Sequence, residues 1–126
     1  MITLKTLPQA TALEVYLQCR EHLLKQNKQS KRILIDDVED CAYRGENGLK
    51  CAAGCFIADD EYVPEMDTNG EGWTDSTWNT LVKYELVPPD HHRLIRDLQK
   101  VHDLSEPSLW PSKLDELAVK YGFSLS

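Results

Sequence analysis

The sequence predicts a mainly helical α+β domain in which about four helices pack around a small β-hairpin at residues 41–57. Apolar residues recur at helical spacing in four separate stretches. An Asn47-Gly48 pair stands between two short runs, the pattern of a tight hairpin turn. No repeat, low-complexity tract or long linker divides the 126 residues, so one domain spanning 1–126 is expected.

The first helix is predicted over 7–27. Thr6 with Gln9, or Thr11 with Glu14, fits a capping box, and Leu13, Tyr16, Leu17, Leu23 and Leu24 make the apolar stripe. A short β-branched run at 32–35 reads as a possible third strand. In the hairpin, Gly54 within the second run points to a bulge or a close backbone approach. A second helix over 77–86 carries Trp78, Leu81, Val82 and Leu86 and ends before Pro88-Pro89. A third, over 91–104 and capped by Asp90, carries Leu94, Leu98, Val101 and His102. A fourth, over 110–121, has the cleanest stripe (Trp110, Leu114, Leu117, Ala118, Tyr121), with Gly122 as its left-handed cap. An all-α arrangement with an irregular loop at 41–57 is the alternative.

Charge is distributed unevenly over a net −7. Residues 1–35 hold six Lys/Arg against two Glu, whereas residues 36–75 hold two against twelve Asp/Glu. An acidic block of that size repels phosphate backbones, so direct nucleic-acid binding is not expected. Arg20, Lys25, Lys28, Lys31 and Arg32 read as the solvated face of one helix and its exit. No apolar run is long enough to cross a bilayer, and the first residues lack the pattern of a secretory signal. A cytoplasmic location follows as an expectation, with Cys19, Cys41, Cys51 and Cys55 reduced.

Three of the four cysteines lie in one segment at C-x9-C-x3-C. Zinc sites need a second pair of ligands, which His91-His92 or His102 would have to supply, so no metal or other cofactor is expected. The plainer reading is that these thiols are small buried hydrophobes. A thiol enzyme could use Cys51, His102 and either Asp103 or Asp59. Arg44 could hold an anion, or pair with Asp40 or Glu46. Residues 67–72 have the start of a calcium loop, but Trp78 stands where its last ligand should be, so an acidic turn is expected.

The run Cys41-Ala42-Tyr43-Arg44, followed after six residues by Cys51-Ala52-Ala53-Gly54-Cys55-Phe56-Ile57-Ala58-Asp59-Asp60-Glu61-Tyr62, resembles a family of small uncharacterised proteins of bacteriophages and bacteria. The resemblance extends to Pro64-Glu65-Met66, to Leu98-Gln99-Lys100-Val101-His102-Asp103 and to the general layout. It differs at Ala53, where a β-branched residue is expected, and at Ala58, where proline is. It implies a phage or mobile-element setting and supplies a context rather than a mechanism. Together these readings predict a non-enzymatic accessory protein that engages, and so inhibits or redirects, a host protein of basic surface. The candidate binding residues are Cys41, Tyr43, Arg44, Cys51, Asp59, Asp60, Tyr62, His102 and Asp103. A thiol enzyme or a small-anion binder built on the hairpin and His102 is the alternative.

Overall fold

Thr11 starts the helical framework. Its hydroxyl accepts the Glu14 N–H at 3.1 Å, and the Glu14 carboxylate accepts the Thr11 N–H at 2.8 Å. This capping box begins α1 (Ala12–Gln26) five residues later than the predicted start, because Leu7–Gln9 is a separate 3-10 turn. The computed structural model describes residues 1–33, 39–41, 43–45, 48–63, 66 and 75–123; side chains at 31–33, 39–41 and 75–77 are outside that description.

Beyond α1 come two three-residue strands, β1 (Lys31–Ile33) and β2 (Glu39–Cys41), paired antiparallel with Lys31 opposite Cys41. The rest is helical: α2 (Asp75–Lys83), α3 (His92–Leu104) and α4 (Trp110–Tyr121). α3 starts after His91, which takes the left-handed conformation at φ 61° and offers no side-chain cap, so Asp90 is not its cap. α4 ends as predicted: Gly122 is left-handed at φ 72°, and the Phe123 N–H reaches the Ala118 carbonyl at 2.9 Å.

The helices close around one apolar cluster that includes Tyr16, Leu23, Trp78, Leu98, Trp110 and Leu114, all fully buried. α1 packs on α3 and α4 and on the turn at Ala53–Phe56. The Tyr16 hydroxyl locks α1 to α4 by donating to the Leu114 carbonyl at 2.8 Å, and Arg20 donates to Tyr16 at 3.1 Å and pairs with Asp115 at 2.9 Å.

The predicted α+β class and its 41–57 hairpin do not form; the protein is a helical fold. Among the described residues of that segment, the pairing between its own members is a bridge of Arg44 with Lys50, while Cys41 pairs outside it with Lys31. Ala53–Phe56 then winds into a 3-10 turn. Burial explains the change. A strand exposes alternate residues, but Cys51, Ala52, Ala53, Phe56 and Ile57 are all at most 1% exposed. Helix side chains satisfy the segment's backbone instead of a partner strand. Gln26 accepts the Lys50 N–H at 3.0 Å, and Gln99 accepts that of Ala53 at 2.9 Å. Gln18 donates to the Cys55 carbonyl at 3.3 Å. Of the β-branched run at 32–35, Arg32 and Ile33 are in β1; Leu34 and Ile35, like the acidic turn at 67–72, lie outside the described residues.

Candidate functional site

His102 is fully buried near the end of α3, and both ring nitrogens are engaged. Nε2 accepts the backbone N–H of Ser30 at 2.9 Å. That bond requires an unprotonated Nε2, so the ring proton is on Nδ1, which donates to Asp103 Oδ1 at 2.7 Å. Asp103 Oδ1 also accepts from Gln99 Nε2 at 2.8 Å. The ring stacks on Trp110 at 5.6 Å, and Trp110 Nε1 donates to the Ser105 carbonyl at 3.1 Å. Gln29 donates to the His102 and Ser105 carbonyls at 2.8 and 3.2 Å, satisfying carbonyls that the end of α3 leaves open.

This arrangement has the orienting half of a catalytic triad without the reactive half. A general base needs its second nitrogen facing a nucleophile, and here that nitrogen caps a peptide group. Cys51 is buried, and its sulfur accepts the Gly54 N–H at 3.3 Å. The predicted pairing of Cys51 with His102 as a catalytic dyad is therefore not available.

Arg44 is likewise occupied. Its guanidinium donates to the Gly54 carbonyl at 3.0 Å and the Ile57 carbonyl at 2.6 Å, and reaches Asp59 at 3.3 Å. It lies 4.9 Å from the centre of the Tyr62 ring. The fork thus clamps the end of the 3-10 turn. Tyr43 is fully buried, with its ring 6.2 Å from that of Trp78, and its carbonyl lies where a Cβ on Gly54 would be. The close approach predicted at Gly54 is therefore to the backbone of Tyr43. Cys41 ends β2, and its side chain is outside the description. Of the predicted binding residues, Asp59 and Asp60 face solvent.

A second group of residues surrounds a cleft of about 600 Å³ between the N-terminal segment, α1 and residues 50–59. Gln18, His22 and Gln26 form a polar row at i, i+4 along α1. His22 Nε2 donates to the Lys50 carbonyl at 2.9 Å, and Gln26 Nε2 donates to the same oxygen at 2.8 Å. Burial, aided by the charge of Lys50, holds the His22 imidazole below its ordinary value, although its bond to the Lys50 carbonyl works the other way. Cys55 also lines the cleft, and burial, followed by a hydrogen bond with the Cys19 thiol, pushes its thiol well above the usual range. Sequence reasoning did not single out His22. The signal was its place between Gln18 and Gln26, a polar row beside the apolar stripe.

Among the described residues, no three His, Cys, Asp or Glu side chains come together as a metal would need. No described helix is long and apolar enough to cross a membrane. Comparison with family models, curated proteins and solved structures finds no match to this chain.

Proposed function

We propose that the protein is a non-enzymatic binding module that engages a basic protein surface through the acidic segment 36–75. The observation that supports this reading is the contrast within its candidate residues. His102, Asp103, Arg44 and Cys51 are engaged by internal hydrogen bonds, while Asp59, 90% exposed, and Asp60 face solvent from one turn. The pairs of Asp59 with Arg44 and Lys50, at 3.3 and 3.7 Å, lie at the surface and hold it weakly. Twelve acidic residues against two basic ones over 36–75 repel one another, and a basic partner relieves that repulsion. The resemblance of 41–62 and 98–103 to proteins of bacteriophages and bacteria makes a host protein the proposed partner. The proposed compartment is the cytoplasm, where Cys19, Cys51 and Cys55 stay as free thiols.

The test is capture from bacterial lysate with the wild-type chain beside the Asp59→Lys/Asp60→Lys double variant. A basic host protein should be retained by the wild type, lost with the variant, and released as salt shortens the screening length to about 3 Å near 1 M. Capture that is equal for both chains, or indifferent to salt, counts against the acidic surface.

A further inference from the structure

We propose that the cleft between the N-terminal segment, α1 and residues 50–59 binds a small organic carboxylate that also carries a hydroxyl or amino donor and an apolar body. The inference does not require the acidic surface to bind a partner, although Lys50 and Asp59 belong to both regions. The cleft, at about 600 Å³, has the size of small-molecule sites, which fall at roughly 300–1,000 Å³.

Three kinds of group line it, and each matches one part of such a ligand. Ile2, Cys55 and Ile57 supply the apolar wall. Lys25 and Lys50 supply positive charge. Among the described residues, exposed Lys25 has no partner, and the ammonium of Lys50, which is two-thirds covered, pairs with Asp59 at 3.7 Å. Glu21 and Asp59 also line the cleft, so its lining carries both signs, and the two lysines are the groups that would meet a carboxylate. His22 supplies the acceptor. Its Nε2–H is used by the Lys50 carbonyl, which leaves Nδ1 as a lone pair with no partner among the described residues.

A simple phosphate ion would satisfy the lysines but leave the apolar wall bare. An uncharged alcohol would satisfy His22 and the wall but leave the lysines solvated. A 2-hydroxy or 2-amino carboxylate with an apolar side chain meets all three. Glu21 at the rim is exposed and would favour an ammonium group on the ligand over a second carboxylate.

The probe is 3-phenyllactate, with benzyl alcohol and inorganic phosphate as comparisons, titrated into the full chain while the His22 ring resonances are followed by NMR. Saturable shifts with a Kd on the order of 1 mM or tighter are expected for phenyllactate, and weaker binding for each comparison. A carboxylate beside His22 should also raise the pH at which its ring titrates. Lys25→Gln, at an exposed position that cannot unfold the chain, should weaken phenyllactate by roughly tenfold, and Lys50→Gln by at least as much. No saturable shift at His22, binding of benzyl alcohol as tight as that of phenyllactate, or phenyllactate binding unchanged in the folded Lys25→Gln chain would each overturn the proposal.

Discussion

His102 Nε2 and the backbone N–H of Ser30 are joined by a buried 2.9 Å hydrogen bond across 72 positions of sequence. One end is near the C-terminus of α3, and the other is in the segment leaving α1. The bond ties those elements together and fixes the tautomer of the ring.

Replacing His102 therefore tests stability. His102→Ala removes the imidazole from the Ser30 N–H and from the Asp103 carboxylate, which keeps its bond from Gln99, and should cost about 1–3 kcal/mol, before the loss of stacking on Trp110. Urea denaturation measures it. Any binding activity should fall only in proportion to the folded fraction. A variant of unchanged stability that loses binding would return His102 to the functional site.

Gly54 and Gly48 separate two kinds of glycine requirement. A Cβ at Gly54 would collide with the Tyr43 carbonyl oxygen, which is backbone and cannot swing away. Gly48 is left-handed at φ 75° with open space around its missing Cβ. Gly54→Ala should cost about 1–3 kcal/mol or more by overpacking. Gly48→Ala should cost only about 1–2 kcal/mol of backbone strain. Thermal melts of the two variants should keep that order.

The Asp97–Tyr121 pair predicts how stability changes with pH. Tyr121 Oη donates to Asp97 Oδ2 at 2.6 Å, and Lys120 adds a bond at 3.2 Å. Burial raises the Asp97 carboxyl, but these bonds and the charges of Lys120 and Arg96 outweigh it and hold the group below its ordinary value. Burial and the bond to Asp97 push Tyr121 up from 10.0 to about 12. The lowered Asp97 stabilises the fold above its unfolded value and loses that contribution as pH falls through the folded one. The raised Tyr121 contributes fully below 10 and loses its contribution as pH rises from 10 towards about 12. Urea midpoints measured across pH should show this alkaline loss in the wild type, and Tyr121→Phe should lessen it, leaving the part due to the raised Cys55 thiol.

Three of the four thiols should react slowly. Cys19 and Cys51 are buried, and the raised Cys55 thiol holds little thiolate at neutral pH. Iodoacetamide should modify Cys19, Cys51 and Cys55 at least about tenfold more slowly in the native than in the urea-unfolded chain, as read by peptide mass spectrometry. Rapid native alkylation at Cys55 would show an activated thiol in the cleft.

The helices were legible because each carries its own signals. Thr11 and Glu14 make the box that starts α1, and Gly122 with Phe123 makes the cap that ends α4. These are contacts within five residues, and local chemistry is visible in the order of residues alone. The same order showed that the acid is concentrated between 36 and 75 and that Gly54 needs room.

Tertiary structure decided the state of residues 50–57. Asn47-Gly48 favours a hairpin locally, but a pair of short strands is only marginally stable, and this segment is covered by α1 and α3. Once covered, its peptide groups found partners in Gln18, His22, Gln26 and Gln99, up to 46 positions away. The same contacts hold His22 at the cleft. Ser30 and Asp103 engage the ring of His102, so the residue whose spacing suggested catalysis holds the fold. No spacing in the chain encodes which backbone N–H will meet an imidazole; that follows from how α3 packs against the exit of α1.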